Sequence, residues 1–244
     1  ERHFGFAGVS LVPTPMNFDH DSALGTSGTF SGSGYLTINI ANFLTTRDNL
    51  RQQMLDLMTL RLSIPTMDLD GDEIADLDTT NVHFIGHSLG TLNGIPFVEM
   101  ANNTVTADDN IISANFLTPG GGIARLAENS HSFAPSLFLG LMGADQSGPA
   151  RGDADFEGFW NAFQAALDAG DPINFAGNLS NTSKVLFTEV VGDTTIPNNA
   201  SPDFVDIINP YTNLSFGEGT KAPLAGTDPL GTVSGAVTIN STST

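Results

Sequence analysis

A serine flanked by glycines, in Gly86-His87-Ser88-Leu89-Gly90, closes an apolar run that begins at Val82. The spacing is that of a nucleophile elbow, a tight strand-to-helix turn that lifts a serine hydroxyl clear of a sheet edge. A hydroxyl so placed attacks a carbonyl carbon when a base takes its proton and backbone N–H groups receive the developing negative charge. The Leu89 N–H, at the start of the next helix, is expected to form half of that oxyanion hole. Gly86 and Gly90 are expected to lack side chains because strand and helix backbones crowd together there. An acid follows in chain order: Asp193, in Gly192-Asp193-Thr194-Thr195-Ile196-Pro197, comes directly after the apolar run 185–191. A turn just beyond a parallel strand lies on the same carboxyl edge of the sheet as the elbow. The five histidines, His3, His20, His83, His87 and His131, all precede Asp193. His87 reads as packing beside the turn and His83 as a strand residue. His131 is left as the possible base if the order serine, acid, histidine is broken, since triads are defined by geometry and role.

A second chemistry-bearing stretch is Asp68-Leu69-Asp70-Gly71-Asp72-Glu73-Ile74-Ala75-Asp76. Its carboxylates fall at loop positions 1, 3, 5 and 9, the spacing by which a tight loop wraps oxygen ligands around Ca2+, with a backbone carbonyl expected from Ile74 at position 7. The ligand set is therefore Asp68, Asp70, Asp72, Ile74 and Asp76. Glu73 stands at position 6 where such loops carry glycine, and Thr79 at position 12 where they carry glutamate. The other reading is a solvated acidic connector.

The elements that must position these groups follow from pattern. The first 44 residues, with Pro13, Pro15 and a Gly/Ser/Thr-rich run over 25–34, read as a loop-like excursion. Thr45 or Thr46 is expected to cap a helix with Asp48 in its first turn, and Leu50, Met54, Leu57 and Met58 recur at helical spacing up to about Leu62, where Pro65 ends it. Residues 111–117 and 185–191 are buried-strand candidates, and 91–100 a helix containing Pro96. Residues 123–180 show no strand pattern and carry apolar helical stretches at 133–142 and 156–167, expected to form a helical cap. The aromatic face of the second, Phe156, Phe159, Trp160 and Phe163, lines an acyl pocket in this reading, or belongs to an ordinary core helix. Val237 to Asn240 alternate like the start of a strand.

Composition narrows the function classes. Eight Lys and Arg against 27 Asp and Glu give a net charge of −19, a field that repels nucleic acid and anionic membranes and suits saline surroundings. Cysteine is absent, so disulfides and thiolate metal sites are excluded. No stretch approaches the roughly 20 apolar residues of a membrane span.

Several segments together carry a family resemblance: Thr46-Arg47-Asp48-Asn49-Leu50-Arg51-Gln52, Asp70-Gly71-Asp72, the run from His83 to Gly90, Pro119-Gly120-Gly121-Gly122, Gly192-Asp193, Ile196-Pro197-Asn198-Asn199 and Pro223-Leu224-Ala225-Gly226-Thr227. From about residue 45 to about 230 the chain resembles the extracellular lipases and outer-membrane lysophospholipases of Gram-negative bacteria, a branch of the α/β-hydrolases. The resemblance implies an α/β fold with a mostly parallel sheet flanked by helices and a cap insertion at 123–180. It further implies a secreted or surface-bound serine esterase acting on acyl-ester lipids, with Ser88 as nucleophile and Asp193 as acid. In that family the base follows the acid, and a second oxyanion donor comes from a loop after an early strand; neither is evident here. The 244 residues, which start at Glu1 and not at methionine, are thus expected to be the middle of one hydrolase domain, incomplete at both ends, with the remaining fragments of that domain as partners. The alternative is a catalytically inactive, calcium-stabilised hydrolase-fold module.

Overall fold

A computed structural model describes residues 37–39, 42–105, 109–143, 147–200, 206–219 and 221–239. The loop-like reading of the first 44 residues therefore lies mostly outside the described residues, as do His3, His20 and Asn240.

Helix α1 spans Phe43–Ser63. Its cap is Asn42 and not Thr45 or Thr46: the Asn42 side-chain oxygen accepts from the Thr45 N–H at 3.1 Å, so the helix begins earlier than expected and Asp48 falls outside its first turn. Thr46 is buried, and its hydroxyl donates to the Asn39 carbonyl and accepts from the Asn39 N–H, clamping the incoming chain. Thr46, Leu50, Met54 and Arg61 form the buried stripe, and Pro65 sits in the short 3-10 turn Ile64–Thr66 that ends the helix.

Three short strands, β1 (His83–His87), β2 (Ser113–Leu117) and β3 (Lys184–Thr188), form an all-parallel sheet in the order β1-β2-β3. The register aligns His83, Ser113 and Lys184 in one row, Ile85, Asn115 and Leu186 in the next, and His87, Leu117 and Thr188 at the carboxyl edge. The crossovers are helical, as parallel pairing requires. Helix α2 (Leu89–Asn102) joins β1 to β2, and α3 (Ile123–Glu128), α4 (Ala134–Met142), α5 (Ala154–Leu167) and α6 (Ala176–Thr182) lie between β2 and β3. Helix α7 (Thr227–Val233) packs beside α6. The chain is thus an α/β protein with a small open parallel sheet and flanking helices.

Period-two alternation gives the sheet two unlike faces. Phe84, Ala114, Phe116, Val185 and Phe187 pack onto Ile95, Val98 and Ala101 of α2 and Ala176 and Leu179 of α6. Phe116 stacks on Phe187 with ring centroids 5.5 Å apart, and Phe84 leans on both Phe97 and Phe116. Fully burying a Phe contributes about 1.5–3 kcal/mol, so these rings anchor the sheet to its helices.

A second core fills the space among α1, α3, α4 and α5. Phe138, Phe156, Trp160, Phe163 and Leu167 are each fully buried there, with Phe43 packed against Phe159 and Phe163. This corrects the acyl-pocket reading of the aromatic stripe: its rings fill one another's edges and faces and leave only Phe159 partly exposed. The 123–180 segment is otherwise helical, as its pattern implied. Val237 to Ile239 form no strand. Among the described residues no helix is long and apolar enough to cross a membrane.

Candidate active site

The turn after β1 holds Ser88 at φ 51° and ψ −117°. A serine pays about 1–3 kcal/mol for such a backbone, and it persists only where the surroundings over-determine it. The surroundings here are hydrogen bonds. The Ser88 N–H donates to the Leu117 carbonyl at 3.0 Å, and the Ser88 carbonyl accepts from the Thr91 N–H at 2.8 Å and the Thr91 hydroxyl at 2.6 Å. Ser88 thus stands at the N-cap position of α2 on the carboxyl edge of the sheet, tied to the last residue of β2. Leu89 is the first helical residue, so its N–H has no helical carbonyl behind it to bond.

The glycine expectation holds at one position and fails at the other. A Cβ on Gly86 would lie 2.8 Å from the Gly90 carbonyl oxygen and 2.8 Å from the Phe84 ring, whereas one on Gly90 would meet nothing within 4 Å. The second close approach belongs to Gly94, one turn into α2, where a Cβ would run into the Phe84 ring. The spacing carries no signal for Gly94, whose need depends on where the Phe84 ring lands.

The loop after β2 meets the same edge. The Thr118 N–H donates to the carbonyl of Thr188, the last residue of β3, at 2.8 Å. Beyond it, Gly121 and Gly226 exchange backbone hydrogen bonds of 3.3 and 3.0 Å. Asp171, fully buried, anchors the start of α3: its carboxylate accepts from the N–H groups of Gly122 (2.9 Å), Ile123 (2.6 Å) and Ile173 (3.1 Å) and from Gln164 Nε2 (2.8 Å). Burial pushes its carboxyl above the ordinary range, and those four donors pull it back.

Asp193 lies five residues past the end of β3, half-buried in its turn. Its Oδ1 accepts from the Thr195 N–H at 2.8 Å and the Ile196 N–H at 2.9 Å. Among the described residues no donor reaches Oδ2, which leaves that oxygen for a further partner. The segment carrying His131 docks directly on this turn: the His131 N–H donates to the Thr194 carbonyl at 2.9 Å, and the Ser132 and Thr195 hydroxyls are 2.7 Å apart. The exposed imidazole itself bonds neither Asp193 nor Ser88. His83 sits at the far end of β1, its Nδ1 2.8 Å from Ser113 Oγ, and His87 is exposed as the last residue of β1.

A buried ion pair holds the His131 segment in place. Glu128 and Arg151 have fully buried side chains, with Arg151 Nε 3.1 Å from Glu128 Oε1. Arg151 also donates to the Glu128 carbonyl, Asn129 Oδ1 and the Gly217 carbonyl, and lies over the Phe138 ring. Arg125 bonds the other Glu128 oxygen and Glu157, each at 2.6 Å. Charged residues within an apolar stretch were the available sequence signal for this network, and pairing them needed the fold.

The acidic loop, which precedes β1 in the chain, is mostly exposed. Ligand oxygens of Asp68, Asp70 and Asp76 lie within 4.8 Å of one another. Asp72 is not in that group; its Oδ1 accepts from the Ile74 N–H at 2.8 Å. Asp68 takes the Gly71 and Glu73 N–H groups at 2.6 and 2.7 Å, and these donors hold its carboxyl below the usual range. Glu73 adopts φ 67°, the left-handed turn that position 6 demands, without being glycine. Three converging carboxylates are a suitable oxygen donor set for a hard cation.

No protein-family model, curated protein or solved structure matches this chain.

Proposed function

We propose that the chain carries the nucleophile and acid of a serine ester hydrolase of α/β-hydrolase type, acting on acyl-ester lipids. The observation that carries this reading is the strained backbone of Ser88 at a parallel-strand-to-helix turn. A non-glycine residue kept in that conformation by three hydrogen bonds fits a nucleophile better than a plain glycine turn.

In this reading a base removes the Ser88 Oγ proton as Oγ bonds to the ester carbonyl carbon. The oxyanion is received by the Leu89 N–H and a second donor from outside the chain. Collapse of the tetrahedral intermediate breaks the bond to the alcohol, which leaves with the proton held by the base. Water then attacks the acyl-serine by the same route and releases the carboxylic acid. Asp193 orients the base through Oδ2. His131 takes the base role within this chain because its segment is docked on the acid turn. The remaining fragments of the hydrolase domain would supply the second oxyanion donor, and a Gram-negative outer surface or the extracellular medium is the setting the reading implies. Ca2+ held by Asp68, Asp70 and Asp76 would relieve their mutual repulsion and brace the connector ahead of β1.

The free imidazole of His131 favours one rival, a hydrolase fold retained for binding without turnover. Assay of p-nitrophenyl ester hydrolysis separates the two. In the complete protein, with that second donor present, wild type should turn over, Ser88→Ala should lose essentially all of it, and His131→Ala should lose about 10³-fold or more. Activity unchanged in Ser88→Ala would sink the assignment. No turnover in any form would support the binding module.

A further inference from the structure

The turn that carries Asp193 has little packing to hold it. Residues 188–192 are all exposed, Val191 at 93%, and the apolar anchor comes only beyond the acid, at buried Ile196 and Pro197. A carboxylate that must hold a base in one orientation is only as fixed as the backbone beneath it. Hydrogen bonds fix that backbone here. Val190 to Asp193 form a tight turn, with Gly192 at φ 73° and the Asp193 N–H donating to the Val190 carbonyl at 3.1 Å. Asn198 reaches back across it. Its Oδ1 accepts from the Gly192 N–H at 2.8 Å and the Asp193 N–H at 3.3 Å, and its Nδ2 donates to the Val190 carbonyl at 2.8 Å. One side-chain amide thus satisfies donors and acceptor of the turn together, much as a paired strand would. Asn198 is itself held from behind: its carbonyl accepts from the Asp228 N–H at 2.9 Å in the first turn of α7, and a Cβ on Gly226 would lie 2.5 Å from that oxygen.

We infer that Asn198 is the positioning residue of the acid, fixing the backbone of Asp193 so that Oδ2 faces the base, with the start of α7 as its footing. The inference rests on the serine-hydrolase reading proposed above. The His131 segment grips the far limb of the turn, at Thr194 and Thr195, and Asn198 grips the near limb that leads out of β3. Asparagine suits the place because it offers an acceptor and a donor on one planar group. An ionised aspartate would turn a second acceptor towards the Val190 carbonyl, and alanine would leave all three backbone groups without this partner.

The test is steady-state p-nitrophenyl ester hydrolysis by the complete protein, well below the melting temperature of every variant. Asn198→Ala should lower kcat about 10²-fold, with KM changed by no more than about twofold. Asn102→Ala is the comparison. Asn102, at the end of α2 and the opposite end of the sheet from Ser88, makes a brace of the same kind: its Nδ2 donates to the Ile111 and Thr182 carbonyls at 3.0 and 2.9 Å, and its Oδ1 accepts from the Ile111 N–H at 2.6 Å. Asn102→Ala should lower the melting temperature by several degrees, as Asn198→Ala does, and leave kcat unchanged. Asn198→Asp keeps the volume and the acceptor and loses only the donor to Val190, so it serves if Asn198→Ala misfolds, with kcat lowered about tenfold. Wild-type kcat in the Asn198 variants, or an equal loss of kcat in Asn102→Ala, would overturn the inference while Ser88-dependent turnover stands. A wild type without turnover, or turnover that survives Ser88→Ala, would instead remove the hydrolase reading and this inference with it.

Discussion

At Ser88, the strained backbone and the proposed chemistry belong to one residue, and substitution separates them. Ser88→Gly relieves the φ 51° backbone and should raise stability by about 1–2 kcal/mol in chemical denaturation while ending ester turnover. A purely structural turn would gain the stability and lose nothing else. The glycines offer a second contrast. Gly86→Ala forces a Cβ to 2.8 Å from the Gly90 carbonyl and should lower the melting temperature by several degrees. Gly90→Ala meets open space in a helix and should be neutral or stabilising by about 0.5–1 kcal/mol. The Gly-x-Ser-x-Gly spacing made the tight turn at Ser88 between β1 and α2 legible in the sequence. It assigned the second steric demand to Gly90 and not to Gly94, because spacing reports the turn and is silent on the ring of Phe84 that fills the space behind it.

Among elements, the C-terminal end of α3 depends on a buried charge. Arg151→Met leaves the buried Glu128 carboxylate with Arg125 as its remaining cation and strands one oxygen, an expected loss of about 1–3 kcal/mol by urea unfolding. The His131 segment should loosen with it, seen as faster amide exchange over 129–132. The carboxyl end of β3 supplies a pH signature. Partial loss of solvent, then the neighbouring Asp228 carboxyl, raise Glu189 above its ordinary 4.5. A raised carboxyl binds its proton more tightly folded than unfolded, so its contribution is full below the ordinary value and is lost as pH climbs through the raised one. Glu189→Gln should therefore melt higher than wild type above that window and match it near pH 4. Asp78 runs the other way: Asn81 and Thr80 hold it at about 2, and its contribution fades as pH falls from 3.8 through that value. Helix existence and type were legible from periodicity over 46–62, 133–142 and 156–167. The start of α1 was not, because Asn42 competes with two threonines for the same capping role and only the path of the incoming chain decides. The aromatic stripe of α5 shows the same limit: its period reports a buried face and cannot distinguish a core from a pocket.

Over the whole molecule, a charge of −19 has to be accommodated, and the Asp68–Asp70–Asp76 loop concentrates part of it. If Ca2+ neutralises that loop, EGTA should lower the melting temperature and added Ca2+ restore it, by about 2.7 kcal/mol when the ion stands at 100 times its Kd. An unchanged melting curve would mark a bare acidic connector. In the proposed reading, Oδ2 of Asp193, which no donor reaches among the described residues, meets the base, and the Leu89 N–H at the start of α2 receives the oxyanion. The serine chemistry underlies that account and is tested most directly by a fluorophosphonate probe, read by intact mass and peptide mapping on the folded protein. The account predicts one adduct, on Ser88, that is absent from Ser88→Ala and forms far more slowly in Asp193→Asn, by roughly 10⁴-fold. A folded protein that takes no adduct, or takes it on another serine, would contradict it.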